Sequence, residues 1–495
     1  MKKISTYLLL SILTVFIAKA QDAKIDWGNS QYKDGTNEYR PYLIGTKENN
    51  YFFFSYNAKD EIVIEKYNFA HEMVDEIKVN YSINKKRPNN ETTLITDSNI
   101  VFFAYIYSKW SQYKILYATS FTFDGKVEKD WTEVARIESK YSKHLGKFKV
   151  QLTPDKKNFL IEIDEPYEDF ATKQFRFKVI NTSLETIWEK KIELGQQSQN
   201  VSLCNYLIDN NANLVFTAKI KNEMRGRKNL PKFSYKLMQY DYKKDKLDQY
   251  NIKPESFIIS DVALNINKDN KIILLGFYSK KDDFLMGGIF YDRINRTTME
   301  SENFYQTPFS ETVLKQYLGD ADILKGEEIP AFRRLKIVPK ENGGLIFLSE
   351  SVQYRQHVNS ERQVVSKFEF GNIMAINIKP DETIEWVSTI NKYQFAGHET
   401  SFYTSYTHHL NGDNIYFIFN ANERKEGSLL YDQFLKVVKV DGTGQISEEK
   451  FYEKLNEKKG ITYLIIPCTG QISKEKTIIF LDKFRFFRIG TLILK

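Results

Sequence analysis

Cysteine is almost absent from this chain. Its 495 residues hold two, Cys204 and Cys468, too few for a disulfide-stapled scaffold. No CxxC pair, GxSxG elbow, P-loop or Rossmann glycine pattern occurs, so no catalytic or nucleotide-binding class is marked and neither a cofactor nor a metal is expected. An excess of one charge is missing too: 71 basic and 64 acidic residues leave +7, mixed along the chain, which argues against a nucleic-acid partner. The longest apolar segment, from about Tyr7 to Ala18, is shorter than the roughly 20 residues that cross a bilayer as a helix.

That segment has another use. Met1-Lys2-Lys3, the apolar stretch and Ala18-Lys19-Ala20 form the three parts of a secretory signal peptide over residues 1–20, with cleavage before Gln21. Cleavage removes Lys2, Lys3 and Lys19 and no acid, which leaves +4. The first cysteine is Cys204, far from the cleavage point, so the usual bacterial lipid-attachment cysteine is lacking. The expectation is a secreted monomer, periplasmic or extracellular, with no integral membrane segment after cleavage.

What the rest of the chain does have is repetition. In residues 146–194, Phe148, Val150 and Leu152 alternate with polar residues, the period of a strand with one buried face. The turn Pro154-Asp155-Lys156-Lys157-Asn158 follows, then the apolar run Phe159–Ile163 of a strand covered on both faces. Phe175, Phe177 and Val179 alternate again, and Leu184–Leu194 makes an outer strand. Similar central runs recur at Tyr51–Phe54, Ile100–Phe103, Leu214–Phe216, Ile272–Leu275, Leu345–Leu348, Ile415–Phe419 and Ile478–Leu481. Sheets covered on both faces at this period fit radial stacking, so the fold class is all-β: a β-propeller of about eight four-stranded blades, seven being the alternative. An outer-membrane barrel would alternate apolar and polar throughout, which these runs do not.

Three outer hairpins end on a tryptophan, at Trp131, Trp188 and Trp386, and residues 24–27 (KIDW) end on Trp27 in the same context. The last unit, from Ile461 to Leu494, has only three strands. Residues 24–30 therefore supply its outer strand, closing the ring by pairing the two ends of the chain. Residues 21–495 are read as a single propeller domain with a helical or loop insertion at about 305–332. Within it Ser310 is the cap of a helix over 309–325 and Gly319 its stop, and the helix is expected at the rim of the ring. Cys204 and Cys468 fall on innermost strands across the ring and should not be bonded.

VQLTPDKKNFLIEI, residues 150–163, resembles the TolB-type or WD40-like propeller repeat, in which an inner strand, a Pro-Asp turn and an apolar strand follow in order. ALNINKDNKIILLGF and LKIVPKENGGLIFL keep the pattern without its Pro-Asp core. The resemblance implies a ring-shaped binding scaffold and carries over no catalytic residue.

Loop lengths are lopsided. Connections between second and third strands, and between blades, emerge on one face and are long: residues 164–173, 221–232, 305–332, 351–364, 391–400 and 420–430. The opposite turns are short. Long loops on a rigid scaffold are where binding residues concentrate. Two of them carry candidate ligand-binding groups, Arg225 and Arg227 with Lys228, and Tyr354, Arg355 and His357, a chemistry suited to an anionic carbohydrate or an acidic protein surface. His398 and Glu399 lie with His408 and His409 around an innermost strand, but ten residues of extended chain separate His398 from His408. His71-Glu72-Met73-Val74-Asp75 lacks the second histidine of HExxH, and Asp209–Asn213 lacks the glycine and closing glutamate of a calcium loop. The function expected is a non-enzymatic binding propeller that engages an envelope or extracellular protein, or a glycan, through the long-loop face. The alternative is a polysaccharide hydrolase or lyase using Asp320, Asp322, Glu327 or Glu399.

Overall fold

A computed structural model of the protein describes residues 23–32, 41–56, 61–80, 82–139, 146–166, 171–222, 231–252, 257–358, 364–397, 402–424, 431–451, 463–466, 469–483 and 486–495. The predicted signal peptide, Arg225, Arg227, Lys228, His398, Glu399 and Cys468 lie outside the described residues.

The fold is an eight-bladed β-propeller of antiparallel sheets. Each apolar run singled out in the sequence is the second strand of a blade. Asn50–Tyr56, Ile100–Ser108, Asn158–Asp164 and Leu214–Lys221 serve blades one to four. Ile272–Ser279, Leu345–Val358, Asn414–Arg424 and Lys476–Lys483 serve blades five to eight. These strands are apolar on both faces because each is sandwiched between neighbouring sheets: Phe103 of blade two meets Phe159 of blade three edge-on at 5.2 Å, and Phe277 of blade five meets Phe347 of blade six at 5.3 Å. The core is thus a set of wedges between blades, with Phe52, Phe102, Phe216 and Phe480 essentially without solvent contact.

The ring closes as the sequence predicts. Ala23–Trp27 pairs antiparallel with Phe486–Leu494, from Ala23 opposite Leu494 to Trp27 opposite Gly490. Gln31 and Tyr32 add a short second contact to the same strand. The Ala23 N–H donates to Glu449 of blade seven at 3.0 Å, and the Arg488 guanidinium lies over the Trp27 ring. His71 locks the same joint: its Nδ1 is 2.9 Å from the Tyr51 hydroxyl and its Nε2 3.2 Å from the Thr491 hydroxyl.

The outer-strand tryptophans fasten blades to one another. The indole N–H groups of Trp131, Trp188 and Trp386 donate to the carbonyls of Asn80, Ala212 and Gly442, each in a connection beside the neighbouring blade. Gly444 has φ +84°, and a Cβ there would fall 2.7 Å from the Trp386 ring, so this turn needs glycine on two grounds. Asp209 is a turn residue, accepting from the Asn211 and Asn213 N–H groups and pairing with Arg296 at 2.8 Å.

The structure corrects the sequence reading in three places. First, residues 309–325 form two short helices, Glu311–Leu314 (α1) and Asp320–Leu324 (α2). Ser310 caps the first, accepting from the Val313 N–H, while Gly319 is the N-cap of the second instead of the stop of one long helix. Second, Val313 is buried and Tyr317 bonds Thr389 at 2.8 Å, so the insertion packs on the outer strand of blade six, Ile384–Ile390, instead of at the rim. Third, residues 351–364 are mostly a paired ribbon: Leu345–Val358 and Val364–Ile378 run past the blade with Val352 opposite Phe370 and Val358 opposite Val364. Val352, Tyr354 and Phe368 favour cross-strand pairing, which propensity for a loop does not capture.

Candidate functional site

The second and third strands of blade six reach beyond its other strands on the long-loop face, and the segment that leaves the blade folds back onto them. Gln394–Gly397 pairs with Val364–Ile378, placing Phe395 opposite Glu369 and Gly397 opposite Lys367. From Asn391 to Ala396 exposure alternates strictly: Asn391, Tyr393 and Phe395 are exposed, Lys392, Gln394 and Ala396 buried. The period is that of an extended chain with one face on protein and one in water.

The inward face is fixed by a dense polar network. Lys392 Nζ lies 2.8 Å from Glu350 Oε1, both side chains fully buried, and 3.0 Å from Gln394 Oε1. Glu350 Oε2 accepts from the Ser405 hydroxyl at 2.7 Å and lies 3.5 Å from Arg334. Gln394 in turn accepts from the Ser405 N–H and donates to the Asn420 carbonyl, and Asn372 accepts from the Lys392 N–H. Burial lowers the Lys392 ammonium from its usual range against the opposing pull of Glu350, and burial likewise raises the Tyr406 phenol. The ion pair thus holds the exit segment to blade six, and the Gln394–Asn420 hydrogen bond ties that segment to blade seven.

The outward face borders a cleft of about 1060 Å³ between these blades. Its lining includes Tyr393, Phe395, Asn391, Asn422 and the pairs Lys436–Glu448 and Lys450–Glu423, each 2.8 Å long. Every lysine in the wall thus has a carboxylate. Asn391 and Asn422 make no side-chain hydrogen bond among the described residues, and Tyr393 is 71% exposed. An open polar trough with aromatic rings on one edge can hold a polar ligand by hydrogen bonds and ring contact; among the described residues its lining sets no nucleophile against a base.

Of the residues singled out in the sequence, Tyr354 and Arg355 stand on the ribbon, one strand removed from Gln394–Gly397 and outside the lining of the trough. Tyr354 is exposed and packs on Phe368 with ring centroids 5.0 Å apart, while Arg355 pairs with Glu369 at 3.3 Å, so its charge is already met. The His357 backbone lies opposite Val365 on the same ribbon. His408 and His409 sit on the innermost strand of blade seven, Thr407–Asn411. His409 is structural, held by Thr477 and the Lys474 carbonyl. His408 is pushed down to about 3 by burial, with Lys336 and His409 adding in the same direction. Of the carboxylates of the hydrolase reading, Asp320, Asp322 and Glu327 sit together on the insertion, where the Glu327 N–H donates to the Asp322 carbonyl at 2.9 Å, Asp320 lies 3.6 Å from Lys315 and Glu327 3.0 Å from Lys281; none of the three lines the trough. Among the described residues no group of three or more His, Cys, Asp or Glu side chains is placed to hold a metal ion.

Sequence reasoning missed Lys392, Glu350, Tyr393 and Phe395. The signal was there, since NKYQFA alternates polar and aromatic residues like a strand, but it fell in a stretch read as a loop.

No protein-family model and no curated protein matches this chain. Among solved structures it is similar to the WD40 domain of SCAP from fission yeast, with TM-score 0.39, 10% identity, and 96% of this chain and 98% of that one covered. It is also similar to an ulvan lyase from a new family of polysaccharide lyases, with TM-score 0.38, 9% identity, and 88% and 95% covered. A third is the β-propeller domain of the Trilobed protease from Pyrococcus furiosus, with TM-score 0.36, 11% identity, and 83% and 96% covered.

Proposed function

We propose that this chain is an exported binding protein that engages an envelope or extracellular protein, or a glycan, through the long-loop face of its propeller. The observation that carries this is where large apolar side chains meet water. Trp110, Phe284, Leu324, Tyr354, Tyr393 and Phe395 are all exposed on connections of the long-loop face, Trp110 at 98% and Leu324 at 88%. Among the tight turns of the opposite face only Phe69 is comparably exposed, among the described residues. All but Trp110 belong to blades five and six, and Tyr393 and Phe395 line the trough. Elsewhere the exposed apolar residues Met73, Val74, Val127 and Ile446 lie on outer strands, so apolar side chains held in water on the connections support a contact site on the long-loop face.

Export rests on residues 1–20, and N-terminal sequencing of the mature protein should begin at Gln21. The face is tested by lysine acetylation footprinting of the purified chain with and without its cell-envelope fraction. Lys280, Lys325 and Lys367 on the long-loop side should be protected at least about threefold. Protection confined to Lys156, Lys157 and Lys243 in the opposite turns would sink the assignment.

A further inference from the structure

We infer that the trough between blades six and seven is a saccharide site, and that its ligand is an uncharged oligosaccharide laid along Asn391, Tyr393 and Phe395. The inference rests on the long-loop face being the working surface, and it adds the class of ligand and the residues that meet it.

Three features lead there. The first is the stripe itself: the alternation from Asn391 to Ala396 turns two aromatic rings and one carboxamide to water. Residues two apart on an extended strand stand about 7 Å from one another on one face, the length scale of a sugar ring and its link to the next. Sugar rings have apolar C–H faces that cover such rings while their hydroxyls stay hydrated, whereas a purely apolar ligand would leave the polar wall unsatisfied. The second is the balance of charge. Lys392, Lys436 and Lys450, the lysines of the lining, are neutralised by Glu350, Glu448 and Glu423, so an anionic ligand would have to displace a carboxylate from each of them, and Lys367 is engaged over the Phe395 ring at 5.1 Å. An ion pair at a wall instead presents an acceptor and a donor side by side, which suits neighbouring hydroxyls on one ring. The third is that the free polar groups are carboxamides: Asn391 and Asn422 flank the trough and each offers two donors and an acceptor. The floor beneath is rigid, since Lys392 and Gln394 are locked by Glu350, Ser405 and Asn420, so little ordering cost falls on binding.

The probe is an array of uncharged oligosaccharides printed beside uronate- and sulfate-bearing ones, followed by calorimetry on each hit. Binding to uncharged members is expected, with affinity changing less than about twofold between roughly 50 mM and 500 mM NaCl. Tyr393→Ala and Phe395→Ala should each weaken it by about tenfold or more, about 1.4 kcal/mol, with melting temperatures unchanged because both side chains are exposed. Tyr393→Phe keeps the ring and should stay within about threefold, and Trp110→Ala, on blade two, should change nothing. Binding only to charged members, a fall of about tenfold across that salt range, or indifference to both alanine variants would overturn the inference. So would an empty array. Protection of Lys280, Lys325 and Lys367 by the envelope fraction, persisting while the array stays empty, would show that the face works and that this ligand assignment alone has failed.

Discussion

Lys392 and Glu350 form an ion pair 2.8 Å long from which water is wholly excluded. One end is on the segment leaving blade six and the other on its second strand, so the pair holds the Asn391–Ala396 stripe to the blade. Removing one partner leaves the other charged, buried and unmatched. Lys392→Met should cost about 3–5 kcal/mol in chemical denaturation. The double variant Lys392→Met, Glu350→Met should recover much of that, because Arg334 is half-exposed and can turn to solvent. Equal losses in the single and double variants would show that the pair is not the origin of the cost.

Ring closure gives a second expectation. Deleting residues 21–31 removes a strand whose Ile25 and Trp27 pack on the core between blades seven and eight, and it uncovers the edge of Phe486–Leu494. A loss of about 4–6 kcal/mol is expected for two large side chains and their ladder, seen as a fall in melting temperature of about 4–6 °C for a chain of this size. An unchanged melting curve would contradict closure by the chain ends.

Acid should weaken the fold through His408. Burial lowers its folded pKa to about 3, below the unfolded value near 6.5, so between these values the unfolded chain binds the extra proton. Stability contributed by neutral His408 is present above pH 6.5 and is lost as pH falls toward 3, at up to about 1.4 kcal/mol per pH unit. Burial lowers His71 and His409 in the same direction. Measured from pH 7 to 5, where carboxylates contribute less, His408→Phe should show a shallower decline than the parent; parallel curves would remove His408 as the cause.

Cys204 should be chemically quiet. Its thiol is free and burial pushes its pKa up to about 12, so at pH 8 only about one molecule in ten thousand carries the reactive thiolate. Iodoacetamide should label it slowly in the native protein and rapidly in denaturant. Non-reducing mass spectrometry should show no link to Cys468; fast native labelling or such a link would contradict the placement of Cys204 on its innermost strand.

Much of the fold was legible because it follows from periodicity. A run such as Phe159–Ile163, apolar on both faces, announces a strand between two sheets, and the shortage of a strand in the last unit called for residues near Trp27. The site was less legible for a physical reason. Lys392 and Glu350 meet only because the chain leaving blade six doubles back, a tertiary event with no local signature. Tyr354 and Arg355 were noticed for their chemistry, yet their ribbon pairing comes from Phe368 and Phe370 across the hairpin, and Glu369 takes up the charge that made Arg355 attractive.

Because Ala23 sits opposite Leu494, the contact that completes the ring joins residues made far apart in time during synthesis. Until the last strand emerges, the nascent molecule is an open arc with an unpaired sheet edge at each end, the state in which such chains stick to one another. A chain cut short before Phe486 would be an arc that cannot shut, however well its first seven wedges have formed. The joint also means that the molecule has no structural beginning: a short linker across it, with new ends cut into a tight turn of another blade, should give a rearranged chain with the same ring.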